Sequence, residues 1–190
     1  MTMKRLFAWL APLLLATALT PALADDYTDT LAVFKKATES KPFFGNAYGY
    51  ALFPTIGKGG VGIGGSHGKG RVYEKGAYVG DVSMTQITVG AQLGGQAFSQ
   101  IIFFEDKRAF DEFTTGEFEF GAQASAVAIT AAAGAQAGTG GTSASKNVGS
   151  DKASVAGKYQ SGMAVFTVAK GGLMYEASVG GQKFSYKKKK

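Results

Sequence analysis

The chain has 190 residues, with 20 lysines and arginines against 14 acidic residues, one histidine, no cysteine and 28 glycines. Without cysteine it has no disulfides, no thiolate chemistry and no attachment point for a bacterial lipoprotein anchor, and a single histidine is too few for a zinc site. The formal charge of +6 sits at the ends, on Lys4, Arg5 and Lys187–Lys190; the near-neutral body lacks the basic cluster with interleaved aromatics of a nucleic-acid binder.

Lys4 and Arg5, the apolar run Leu6–Leu19 and the small-x-small site Ala22-Leu23-Ala24 read as a cleavable secretory leader, residues 1–24, too short in its apolar part for a membrane span. The expected product, Asp25 to Lys190, is long enough for one well-buried domain. Its location is then outside the cytoplasm, in a periplasm or the outer cell envelope.

Asp25–Ser40 has helical spacing. Tyr27, Leu31 and Phe34 share a face, Asp26 is placed to cap, and Lys35 and Lys36 lie off the stripe. After Pro42, Phe43–Leu52 reads as a second, shorter helix ending at Phe53-Pro54. From Ile56 to Glu105 the pattern is β-like. Val61 and Ile63 alternate with glycine, short strands are expected at Arg71–Tyr73 and Tyr78–Val82, Met84–Ala91 alternates, Phe98–Phe104 is another strand, and Gly94-Gly95 marks a bend or bulge within a long strand. Glu105-Asp106 opens a helix with Ala109, Phe110 and Phe113 on one face and Gly116 as its stop. Phe118 begins a strand that reaches Ile129. Ala131–Lys158, built from Ala, Gly, Ser and Thr, reads as a long mobile loop. Strands resume at Met163–Val168, Leu173–Val179 and Lys183–Tyr186, and Lys187–Lys190 form a basic tail. The expected fold class is α+β. It is a single domain over residues 25–186, a curved antiparallel sheet (barrel-like in its limit) with N-terminal helices and one mid-chain helix.

Eight of the eighteen residues in FPTIGKGGVGIGGSHGKG, residues 53–70, are glycine. Gly60, Gly62 and Gly65 fit the G-x-G-x-x-G dinucleotide fingerprint, but that motif needs a helix directly after it, and Ser66–Tyr73 is glycine-broken and then strand-like. The P-loop pattern fails too, because Ile63 stands where its first glycine belongs and Gly70 replaces Ser/Thr. Glycines in a sharply curved sheet are the better account.

The ordered series ALFPTIGKGGVGIGGSHGKG, VSMTQITVGAQLGGQAFSQIIFF, FEFGAQASAVA and KGGLMYEASVGGQKF resembles the SYLF domain, also called the Ysc84 domain, in its exported bacterial form. The likeness runs from about Thr28 to Tyr186. It implies a lipid-binding module. Eukaryotic members bind phosphoinositides and, in some cases, actin regulators, and no actin partner is expected in a bacterial envelope.

Catalysis finds little footing. His67 reads as a turn residue with no nucleophile elbow nearby. Asp111 and Glu112 diverge on a helix, and Glu117 and Glu119 share a water-facing side of a strand. No cofactor or metal is expected. The candidate lipid-binding residues are Lys35, Lys36, Lys41, Lys58, Lys69 and Arg71, because head-group phosphates favour Lys and Arg donors. The expected partner is an anionic phospholipid or membrane surface. The alternative is a periplasmic structural or protein-interaction module without a lipid ligand.

Overall fold

A computed structural model describes residues 23–122, 124–129, 158–170 and 179–190. The leader up to residue 22, the loop at 131–157 and the expected strand at 173–178 lie outside them. The described elements are α1 (Leu23–Lys36), α2 (Phe43–Asn46), β1 (Gly49–Glu74), β2 (Ala77–Phe104), α3 (Lys107–Thr114), β3 (Glu117–Glu119), β4 (Val127–Ile129), β5 (Met163–Lys170) and β6 (Lys183–Lys188). The fold is α+β, and its sheet is curved and open. Neighbouring strands run β3-β6-β2-β5-β4, with β1 on the other side of β2. All described pairings are antiparallel except β4 with β5, which is parallel.

The string of short strands expected between Ile56 and Phe104 is in fact one long hairpin. β1 and β2 stay paired from Gly49↔Phe104 to Glu74↔Ala77, through slips at Phe53/Ile56, Val61/Ile63 and Val72/Tyr73. The hairpin is doubled over. A first limb pairs Gly49–Ile56 with Phe98–Phe104, and a second pairs His67–Glu74 with Ala77–Thr85. The limbs pack on each other so closely that a Cβ on Gly70 would stand 2.7 Å from both the Leu52 carbonyl oxygen and the Phe53 ring. The elbow between them turns at Gly60 (φ +153°), whose Cβ position is occupied by Gly64 Cα and the Ile63 carbonyl. Only glycine fits there. Gly94 and Gly95 pair in register with Gly60 and Gly59, so the irregularity lies a few residues away, opposite Val61/Ile63. No helix follows the glycine run, which excludes the dinucleotide cradle.

Two apolar clusters hold this shape. Inside the curl lie Phe53, Ile56, Val72, Met84, Ile102, Phe104 and Phe184, closed by Phe110 and Phe113 of α3. Outside the first limb, α1 and α2 cover Leu52, Ile101, Phe103 and Phe166 with Phe34 and Phe43. The segment Ala51–Phe53 and its partners Gln100–Ile102 are therefore buried on both faces. That is why Tyr50–Leu52 is strand where a helix was expected: α2 stops at Asn46, and the chain is extended by Gly49. α1 ends at Lys36, four residues short of Ser40, and Asp26 lies within it rather than capping it. α3 matches its expectation, since the Asp106 side chain accepts from the Ala109 N–H at 2.8 Å and Ala109, Phe110 and Phe113 are buried. The strand expected from Phe118 to Ile129 is broken into β3 and β4.

One polar contact crosses the core. The Gln100 and Gln182 amides, both fully buried, donate to each other at 2.9 and 3.1 Å. They tie β2 to the turn before β6. Gln86 adds a second tie, its amide donating to the Gly180 carbonyl at 2.9 Å.

Candidate functional site

Along the second limb of β1 exposure alternates. Gly68, Gly70 and Val72 are buried, while His67 and Lys69 are exposed and Arg71 and Tyr73 half-buried on the other side. Directly opposed residues of paired strands share a face. β2 sets Thr85, Ser83 and Asp81 opposite His67, Lys69 and Arg71. β6 then sets Lys183, Ser185 and Lys187 opposite the same three. The outer sheet surface therefore carries three rows: His67–Thr85–Lys183, Lys69–Ser83–Ser185 and Arg71–Asp81–Lys187. Four cations and one histidine surround a strip of hydroxyls. The anions are Asp81, which accepts from the Tyr78 hydroxyl at 2.7 Å, and, on the edge strand β3, Glu117 opposite Ser185 and Glu119 opposite Lys183, the latter 3.6 Å from the Lys183 ammonium.

Arg71 is held in place by aromatics. Its guanidinium lies 4.2 Å from the Tyr27 ring centroid and 5.1 Å from that of Tyr78, and the Lys189 ammonium covers Tyr78 at 4.7 Å. This cation–π stack pins α1 to the sheet. Next to it Tyr50 stacks on Tyr73 at 4.8 Å. Burial, and then the neighbouring Tyr73, push the Tyr50 hydroxyl up to about 12 from its ordinary 10.0. Below pH 10 folded and unfolded chains both keep this proton. Between 10 and 12 only the unfolded chain ionises, so stability falls as pH rises through that window. Urea midpoints measured from pH 9 to 12 should drop, and Tyr50→Phe should flatten the drop; an unchanged slope would show that Tyr50 does not drive it.

The same exposed face runs on into the elbow. Gly65 opposes Ile87, and Ile63 opposes Val89. The Ile63 and Ile87 side chains are 70% and 80% exposed. Among the described residues, the elbow section of β2 between its pairings with β6 and β5 has β1 as its only strand neighbour.

Of the residues singled out in the sequence, Lys69 and Arg71 come together on this face. Lys58, half-buried and opposite Gln96, has the other parity of β1. Lys35 and Lys36 end α1 and Lys41 follows it, all three exposed, with the Lys35 ammonium 5.8 Å from the Phe44 ring. His67 is a strand residue rather than a turn residue. Lys187 and Lys188 belong to β6, and the Lys189 N–H donates to the Val79 carbonyl at 2.9 Å, so the basic end is tied to the sheet. Lys183, Ser185 and Lys187 were not singled out as a set, although their period-2 spacing was visible. The acidic pair on α3 is spoken for: Asp111 bonds Lys107 at 2.6 Å, and Glu112 pairs with Arg108 at 3.4 Å. Among the described residues no group of three or more His, Cys, Asp or Glu could hold a metal.

Residues 85–190 match the family model described as Ysc84, Las17-binding protein actin regulator. A curated relative, beta cell expansion factor A of Aeromonas veronii, is 28% identical over 166 residues, covering 83% of this chain and 52% of the relative. The chain thus spans about half the length of that relative.

Proposed function

The chain belongs to the Ysc84 (SYLF) family, and on that premise we propose that it is a non-catalytic lipid-binding protein, exported to the cell envelope, that works against an anionic membrane surface. The observation that carries this reading is the continuous outer face on which Lys69, Arg71, Lys183 and Lys187 surround Ser83, Ser185 and Thr85. Lysines supply charge and hydroxyls supply donors, the combination that phosphate head groups accept. The leader-like segment 1–24 supports export. A second reading, a protein-interaction module, is favoured by the family description, which names a binding protein and regulator.

Co-sedimentation with phosphatidylglycerol vesicles separates the two. Each lysine near an anionic surface contributes about 1 kcal/mol, so Lys69→Gln/Lys183→Gln/Lys187→Gln should weaken binding on the order of 100-fold at low salt. The same change at Lys35, Lys36 and Lys41 should cost less if the sheet face leads. Equal losses from both triples would move the site to the helical lysines or make the attraction diffuse, and no sedimentation of the unaltered chain would leave the protein-interaction reading.

A further inference from the structure

We propose that the elbow of the β1–β2 hairpin enters the acyl layer of the bilayer, with Ile63 and Ile87 as its apolar tip. The inference rests on the lipid-binding reading and adds to it a buried, non-electrostatic anchor. Three large hydrophobic side chains are exposed among the described residues, and two of them, Ile63 and Ile87, lie on one face of one ribbon. Gly57, Gly59 and Gly65 are exposed on that same side of β1, so that side of the strand is apolar or bare of side chains near the elbow, while half-buried Lys58, opposite Gln96, has the other parity.

The placement of charge names the occupant. Strand residues rise about 3.3 Å each, so the Lys69–Ser83–Ser185 row stands roughly 13 Å from the Gly65–Ile87 row and roughly 20 Å from Ile63. With Lys69 at the level of the lipid phosphates, the isoleucines reach past the head groups into hydrocarbon, and His67, Thr85 and Lys183 fall between. A second copy of the chain is a poorer occupant: two isoleucines offer far less than the roughly 1,000 Å² that a specific protein interface needs.

The absence of cysteine makes the test direct. Ile87→Cys, labelled with an environment-sensitive nitrobenzoxadiazole dye, reports on the elbow alone; Glu112→Cys on α3, exposed in the structure, is the control. Vesicles of phosphatidylglycerol and phosphatidylcholine should raise the elbow signal several-fold, and nitroxides on the acyl chains should quench it, while the control stays unchanged. Ile63→Ser/Ile87→Ser should still bind at low salt but lose on the order of 100-fold of the binding that survives high salt. Vesicle binding with an elbow label that behaves like the control overturns the insertion and leaves the lipid reading standing. A signal that rises with protein concentration before vesicles are added assigns the elbow to a second copy and also overturns it. If the unaltered chain binds no vesicles, both fall together.

Discussion

Gly70→Val should destabilise the fold by about 3 kcal/mol or more, near the upper end for overpacking. The first added carbon would meet the Leu52 carbonyl oxygen and the Phe53 ring, both at 2.7 Å. Neither can yield cheaply. Leu52 is backbone in a strand paired with Ile101, and Phe53 is fully buried in the inner core cluster. The only relief is to separate the two limbs of the hairpin, which opens the core between them. At this chain length the loss corresponds to roughly 10 °C in melting temperature. Gly57→Ala is the matched control. Its Cβ would have open space within 4 Å, so its effect should stay within about 0.5 kcal/mol. Thermal melts of the two variants decide the matter: equal, small shifts would mean that the limbs do not press together.

Phe103→Ala should cost about 4 kcal/mol, in the range for a buried aromatic cut to alanine. Phe103 is fully buried and touches four other rings: Phe44 at 4.8 Å, Phe43 at 5.5 Å, Phe166 at 5.8 Å and Tyr50 at 6.2 Å. It is the point where α2, β1, β2 and β5 meet, so its loss leaves a cavity that no single neighbour can fill. Phe103→Leu, closer in volume, should lose about 1.5 kcal/mol. Urea titrations with an unchanged slope would read both values. A Phe103→Ala loss below about 1.5 kcal/mol would show that the helical layer relaxes into the gap.

α3 was legible from its own residues. The Asp106 cap, the stripe Ala109, Phe110, Phe113 and the positive φ of Gly116 are all local signals. Tyr50–Leu52 was not, because an apolar run buried on both faces has no period to separate strand from helix. The continuity of β1 was hidden by its glycines, which look like strand breaks until the limb they pack against is known. Gly68 and Gly70 answer to Ile56 and Leu52, a contact no local window contains. The cationic face was legible only in part. Lys69 and Arg71 stood out as cations in a strand, but Lys183 and Lys187 join them through the register of β6 on β2. Ile63 and Ile87 carried no sign of their exposure, since an apolar residue alternating with glycine reads the same whether it points in or out.

The central place of β2 also bears on how the chain reaches its folded state. Its first edge is closed at once by β1 through the Lys75-Gly76 turn, but its second waits for β5 and β6, far downstream. During synthesis that second edge, from Gly80 to Phe104, offers unpaired backbone donors and acceptors beside Phe98, Phe103 and Phe104. It is a template for strands of other nascent chains. Non-local closure of this kind is slow, so aggregation should compete with refolding as concentration rises. Until β5 and β6 arrive, the chain depends on whatever shields an open strand edge.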